Sequence, residues 1–421
     1  MRTGLTPAEA LASVLSHTPV LPSERVGSAA ALGRVLVEPV TSGRDLPPSD
    51  NSAMDGFAVR ASDLGHAGAD SPVELTLGFE IHAGGSPQRP LQAGECARIL
   101  TGAPLPEGAD SVVRQEDIET EGSRIRFRQP VPDGEHVRRR GEDTRIGETI
   151  LEAGTRIGAP ETGMLAALGR SYVAVRRKPR VAILSGGDEL VEPDGDVSGG
   201  RIVSSNSYSI AAQCRLAGAI PQYLGIARDS PEALEALLRA GLANDVLVSS
   251  AGVSVGDRDF VRPVLEKLGC RLEFWGVQMK PGYPLAFGLF PDAYPGLNPL
   301  TFGLPGNPVS AMVTFEQFVR PALLQMAGHS ALHRPTLDVT VGETLQKKAG
   351  RLHFVRVTLE RQGEEVVARS FGNQSSGVLR SMCDAQALLI FPAEASELPR
   401  GSRAQVQLLD ETFLASPRPA F

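Results

Sequence analysis

Val181-Ala182-Ile183-Leu184-Ser185-Gly186-Gly187-Asp188-Glu189 is a short apolar β run that stops at small residues and ends on two acids. The same plan occurs twice more. Ser249-Ser250-Ala251-Gly252-Val253-Ser254-Val255-Gly256-Asp257-Arg258-Asp259 follows Asp245-Val246-Leu247-Val248, and Leu304-Pro305-Gly306-Asn307-Pro308 follows Thr301-Phe302-Gly303. In an open α/β sheet, ligands bind just beyond the strand ends. Small residues there let backbone amides approach an anion, and a following helix points its positive N-terminus at it. The acids closing the first two loops suit a phosphate held through a divalent cation better than a phosphate alone. The reading is a site for a phosphorylated ligand with a metal, and Ser185, Gly187, Ser250, Gly252, Ser254, Gly256, Pro305, Gly306 and Asn307 are its candidate contacts.

Around these loops strands and helices alternate: a helix over 206–217, a strand Tyr223-Leu224-Gly225-Ile226, helices over 231–242 and 259–268, then a strand from Gly276 to Met279. That order predicts a parallel or mostly parallel sheet with helices on both faces. It closes with Thr301 to Leu304 and a long helix to Gly328, for which Asn307 is a suitable N-cap and Pro308 a suitable first residue. Upstream, Thr6, Pro7 and Glu9 predict a capped helix over 6–18. From about 36 to 145 short β runs broken by Pro and Gly predict a β-rich module, a helix covers 160–170, and the basic stretch Arg176-Arg177-Lys178-Pro179-Arg180 marks a boundary. Beyond about 332, runs such as Leu337-Asp338-Val339-Thr340-Val341 predict a small all-β domain.

Composition narrows the class. With 421 residues the chain exceeds one core and divides into roughly two to four domains. No stretch reaches the roughly 20 apolar residues of a membrane span, and Met1 to Ala10 lack an apolar signal core, so the cytoplasm is the expected compartment. A net charge of −7 disfavours a nucleic-acid surface. Cys96, Cys214, Cys270 and Cys383 form no C-x-x-C pair and are expected to be reduced and structural.

Several polar segments carry two readings. Pro47 to Phe57 is explained by turn chemistry, yet Asp55, between Met54 and Gly56, is a candidate for holding a metal or cation, with Asp50 the structural one. Thr101 opens a loop that suits turn or ligand alike. Asp229 is either a cleft acid or the N-cap of the helix near Pro231, and Asp257 and Asp259 stand where helix starts attract acids anyway. Lys280, in the rigid Lys280-Pro281-Gly282 turn, suggests a fixed cation. Arg138-Arg139-Arg140-Gly141-Glu142-Asp143 is a solvated charge run or a source of anion-binding cations. No histidine neighbours a nucleophile in a Ser-His-Asp or Cys-His motif, so covalent catalysis has no support.

Taken together, Asp50 to Val59, Thr101-Gly102-Ala103, Arg139 to Asp143, Gly187-Asp188-Glu189-Leu190, Gly252 to Gly256, Met279-Lys280-Pro281-Gly282 and Leu304 to Ser310 closely resemble the MoeA family of molybdopterin molybdenumtransferases, relatives of the gephyrin E domain and the plant molybdenum insertase. The resemblance runs in order along essentially the whole chain. It implies a multidomain α/β and β fold: a segmented connecting domain (1–45 and 145–179), an inserted β-rich domain (46–144), a molybdopterin-binding-type α/β domain (180–329) and a C-terminal β-barrel (330–421). It implies a homodimer that inserts molybdate into adenylylated molybdopterin with release of AMP, assisted by Mg2+. A MogA-like adenylyltransferase and molybdoenzyme maturation proteins are the further partners it suggests, with no nucleic acid or membrane.

By motif position Asp55, Glu189, Asp229, Asp259 and Lys280 match catalytic residues, and Glu189, Asp229 and Asp259 the metal acids. Asp55 and Thr101 would complete the site across the dimer, and Arg351 and Ser376 match C-terminal substrate positions. Three departures stand out: Tyr283 where a second lysine is frequent, Ala251 for a glycine, and Ser230 for an aspartate. Competing readings are a gephyrin-like scaffold and a MogA-like adenylyltransferase. Joint retention of Asp55, Glu189, Asp259 and Lys280 speaks against the first, and the extra domains against the second.

Overall fold

The structure, a computed structural model, describes residues 1–250, 261–291, 293, 297–409 and 412–415. They fall into two compact units: Met1–Val37, Arg156–Gly158 and Val173–Phe421 form one, Glu38–Thr155 and Ala159–Tyr172 the other.

The first unit is built on a seven-stranded sheet in the order Arg2–Leu5, Arg271–Val277, Ala286–Leu289, Leu300–Leu304, Val246–Ser250, Arg180–Gly186, Ile220–Ala227. Successive side chains of a strand point to opposite faces. Val181 and Ile183 accordingly join the core shared with helices Ser205–Leu216 and Pro308–Thr314, while Ala182 and Leu184 pack with helices Pro231–Gly241 and Val261–Lys267. Burial on both faces explains why these strands read as unbroken apolar runs.

The sheet is mostly parallel, with Ala286–Leu289 antiparallel to both its neighbours. Two strands were not anticipated: this one, and Arg2–Leu5, which forms an edge parallel to Arg271–Val277; the strand expected from Gly276 to Met279 runs instead from Arg271 to Val277, and Met279 belongs to a separate strand. Leu300–Leu304 does not close the sheet but lies inside it, beside Val246–Ser250. The basic stretch before the first strand is anchored: both Nη atoms of Arg177 donate to the buried Asp245 carboxylate at 2.8 and 2.7 Å.

Helix Pro7–Ser16 starts with the expected capping box, Thr6 with Glu9. The long helix before residue 328 is three joined pieces, Pro308–Thr314, a π turn Phe315–Val319 and Arg320–Met326. Pro321 supplies the reason, since it lacks an amide and its ring crowds the carbonyl one turn earlier, and a π turn widens the coil there.

Still in the first unit, Leu352–Gln362, Glu365–Ser370, Thr336–Val341, Arg403–Leu408 and Ala387–Phe391 pair in that order, and the last returns to the first, closing a five-stranded barrel. Val339, Val355, Val357, Leu389 and Val406 fill it. A two-residue strand, Met279–Lys280, pairs parallel to Leu352–His353 and so brings the Lys280 turn to the barrel rim.

The second unit carries a six-stranded sheet, Ser111–Arg114, Gly56–Val59, Glu95–Ile99, Val73–Ile81, Arg124–Phe127, Ile118–Glu121. Phe57, Cys96 and Phe127 lie in one core and Ala58, Phe79 and Ile99 in another. Gly56 is required where it stands, because a Cβ would lie 2.1 Å from the Val113 carbonyl oxygen.

All four cysteines are free; burial pushes the Cys96, Cys214 and Cys270 thiols up to about 12, so these three are packing residues at neutral pH. No helix among the described residues is long and apolar enough to cross a membrane.

Candidate functional site

Beyond the ends of strands Arg180–Gly186 and Val246–Ser250 lies a cleft of about 430 Å³ lined by Ser185, Glu189, Ser204, Asn206, Ser250 and Gly306. Its floor is a cluster of buried hydroxyls. Ser185 Oγ lies 2.8 Å from Ser250 Oγ and 3.0 Å from Ser204 Oγ, and also meets Ser207. Buried hydroxyls must pair, and each has one donor and two acceptor sites, so a cluster that satisfies itself can still offer atoms to a ligand above it.

Glu189 stands at the mouth, exposed. Its position depends on Gly187, whose φ is +139° and whose Cβ, if present, would lie 2.6 Å from Glu189 Oε2. Only glycine leaves room for the carboxylate to fold back over the turn. Asp188 accepts a hydrogen bond from the Asp229 amide at 3.1 Å, which joins the two acidic turns.

The N-cap explanation for Asp229 fails. Ser230 caps the helix, its Oγ accepting from the Ala233 amide, and this leaves the exposed Asp229 carboxylate without that duty. Asn307 occupies an N-cap position, but its side chain makes no capping bond among the described residues. The amides after it are not all open either, since Val309 N–H donates to the Ser376 carbonyl at 3.1 Å. Pro305 is buried beneath this turn and Gly306 accepts from Asn206 Nδ2 at 2.8 Å. Gly252, Ser254, Gly256, Asp257 and Asp259 lie outside the described residues. Among the described residues no group of three or more His, Cys, Asp or Glu side chains could hold a metal ion.

A second concavity of the same unit, about 780 Å³, lies at the barrel rim and brings Lys280 together with Lys347, Lys348 and Arg351; no acid among the described residues lines it. His353, 6% exposed, also lines it, and neither of its ring nitrogens finds a hydrogen-bond partner among the described residues. Burial and the charges of Lys280, Arg356 and Lys347 push its pKa down to about 4, so the ring is neutral at physiological pH. Gln374 belongs to this pocket while Gly377 and Leu379 line the hydroxyl cleft, so one short loop walls both. Ser376 lies in that loop and contributes its carbonyl to Val309.

In the second unit the Thr101 amide and hydroxyl both donate to Asp55 Oδ1 at 2.7 Å, and these two bonds, the amide first, hold Asp55 below the usual aspartate range. A carboxylate so held stays charged to lower pH than a free one. Thr101→Val, which removes the hydroxyl and keeps the amide, is expected to shift the Asp55 midpoint upward in a carboxyl 13C NMR titration; an unmoved midpoint would show that the hydroxyl contributes nothing. Asp50 is structural as expected, accepting from Arg139 Nη1 and the Arg140 amide. In the arginine run, Arg139 pairs with Asp50 and Arg140 with Asp45.

Sequence reading missed Ser204, Ser207, Asn206, Lys347, His353 and Arg356. The run Ser204-Ser205-Asn206-Ser207 and the doublet Lys347-Lys348 ahead of Gly350-Arg351 were the available signals.

Comparison with known proteins identifies the family. Residues 5–169 match the MoeA N-terminal region (domains I and II), 182–325 a probable molybdopterin-binding domain, and 338–409 the MoeA C-terminal region (domain IV). A molybdopterin molybdenumtransferase of Nostoc is 40% identical over 86% of this chain and 83% of its own length. One from Haemophilus influenzae is 33% identical over 90% and 91%. A crystal structure of a molybdopterin biosynthesis MoeA protein from Pyrococcus horikoshii, 32% identical, superposes with a TM-score of 0.81 over 97% of this chain and 99% of its own. The chain belongs to the MoeA family of molybdopterin molybdenumtransferases.

Proposed function

We propose that this enzyme inserts molybdate into adenylylated molybdopterin and releases AMP. The observation that carries the reading is the pairing, in one unit, of a hydroxyl-floored cleft bearing Glu189 with a basic pocket bearing Lys280, Lys347 and Arg351, separated by one shared loop. A pocket lined by one sign of charge concentrates an oxyanion of the other. A hydroxyl floor beyond strand ends suits the phosphates of a pterin nucleotide.

In this reading water adds to the adenylyl phosphorus, the bridging P–O bond breaks with the molybdopterin phosphate as leaving group, and AMP and a proton are released; the two dithiolene sulfurs bind molybdenum as one molybdate oxygen departs as water with the two thiol protons. Such a step needs positioning and charge neutralisation more than a protein nucleophile. Ser185, Ser250 and Gly306 position the phosphates, and Lys280 and Arg351 offset their charge and that of the oxyanion. The metal proposed is Mg2+. Exposed carboxylates are the hard oxygen donors it prefers, and Glu189 and Asp229 supply them, with Asp259 a third from its sequence position. When bound, the ion would neutralise phosphate charge.

The same proposal includes the four-domain division set out above, a homodimer to which Asp55 and Thr101 contribute function, and a cytoplasmic setting. AMP measured after adenylylated molybdopterin is mixed with the enzyme, molybdate and magnesium tests it. Release that requires molybdate and falls on chelation is expected. Consumption of ATP with no AMP release from the adenylylated pterin would overturn it in favour of adenylylation.

A further inference from the structure

Arg351 has an exposed side chain at the rim of the basic pocket, yet it is held at both ends. Its backbone carbonyl accepts from Lys347 Nζ at 3.1 Å, and the same Nζ donates to the Ala393 carbonyl and sits 4.8 Å over the Phe391 ring. Its guanidinium lies 4.2 Å over the ring of Tyr283. That ring is itself fixed from another side. Trp275 meets it edge-on, centroids 5.6 Å apart at 87°, and the Tyr283 carbonyl accepts from the Val277 and Leu285 amides. Gly276 makes the space: its φ is +82°, and a Cβ there would lie 3.3 Å from Tyr283 Cζ and Oη.

We infer that Tyr283 is a positioning residue for the oxyanion step: its ring face holds the Arg351 guanidinium in the pocket, so that a planar cation is pre-aimed instead of swinging in solvent. The inference rests on the reading of Arg351 as an oxyanion contact. A guanidinium stacks on an aromatic face and keeps its N–H edge free for an oxyanion. A long exposed side chain otherwise loses rotamer freedom when it binds, and a seat already taken removes that cost. The chemistry is untouched; what changes is how readily the oxyanion finds its donors.

The test is the molybdate dependence of AMP release in the full chain, comparing Tyr283→Leu, Tyr283→Phe, Arg351→Ala and the Tyr283→Leu/Arg351→Ala double variant. Tyr283→Leu is expected to raise the molybdate KM about fivefold with kcat within about twofold of the parent, the size of an exposed to half-buried cation–π contact. Tyr283→Phe, which keeps the ring face, restores KM. The double variant matches Arg351→Ala alone, because a seat without its occupant has nothing to do. If Arg351→Ala raises KM and Tyr283→Leu does not, the positioning role is overturned while the pocket reading survives. If neither moves KM, Arg351 is no oxyanion contact and both fall. A Phe variant as impaired as the Leu variant also overturns the proposal, since the hydroxyl and not the ring face would then matter. Should Tyr283→Leu fail to fold by thermal melting, Tyr283→Met carries the same comparison.

Discussion

Glu189→Gln is expected to lower molybdate-dependent AMP release by about 100-fold or more while the melting temperature stays close to that of the parent. The first half follows from charge. A carboxylate that holds a divalent ion against a phosphate supplies several kcal/mol of charge stabilisation, and each ~1.4 kcal/mol is a factor of ten in rate. Glutamine keeps the shape and loses the charge. The second half follows from exposure: Glu189 lies at the cleft mouth, where surface substitutions change stability little.

Gly187→Ala gives the same prediction a second arm. Its Cβ would collide with the Glu189 carboxylate, so the acid must swing away although its charge is intact. Comparable losses in both variants would tie function to the place of that carboxylate and not merely to its presence. An active Glu189→Gln enzyme would remove Glu189 from the metal set and leave Asp229 to be explained alone.

How much of this could be read in advance differs by physical cause. The strand-and-loop segments at 181–189 and 245–250 were legible because strands buried on both faces are apolar throughout and their loops are small. The edge strand Arg2–Leu5 was not, since its side chains are exposed or half-buried and carry no periodic signal. Ala286–Leu289 was hidden in an apolar stretch whose strand direction depends on two distant partners.

The same division holds in the site. Glu189 and Lys280 stood out because acids or cations next to glycine and proline turns are conspicuous. The Asp229 carboxylate was half explained away as a cap until Ser230 proved to fill that role. The serine cluster is made by residues of separate elements, Ser185 and Ser250 on neighbouring strands and Ser207 on a helix, and no local pattern announces a meeting of that kind. Arg356 was overlooked for a related reason: an arginine in a β run reads as a solvent-facing residue, whereas this one is 0% exposed.

Arg356→Met is the other substitution expected to have a large effect, on stability and on the cleft together. Nη2 of Arg356 donates to the carbonyls of Asn373 and Ser375 at 3.3 and 3.2 Å, and thereby supports the loop whose next residue, Ser376, takes the Val309 amide. Two effects compete. Removing a buried cation relieves a desolvation cost, the more so because Nε and Nη1 find no partner among the described residues. Against this, both carbonyls stay where they are and lose their donor; Asn373 and Ser375 are exposed, so water can replace it and the loss is the net worth of each hydrogen bond, about 0.5–1.5 kcal/mol. The carbonyls win, because exchanging a buried charge for an apolar side chain is favourable only when its partner leaves as well.

A net loss of about 1–2 kcal/mol is therefore expected in denaturant unfolding. The damage should be local in a recognisable way. Gln374 exchanges hydrogen bonds with the Arg356 backbone, and these survive the substitution, so the loop stays attached at that point and loosens beyond it. Hydrogen exchange should accelerate at the Val309 amide and over 375–379, with the barrel strands unchanged. Because that loop walls both the basic pocket and the hydroxyl cleft, AMP release should become weaker in its dependence on pterin and on molybdate alike. Unchanged protection at Val309 would mean that the loop is held by its own turn geometry, and that the buried arginine serves the packing of the barrel against the sheet instead.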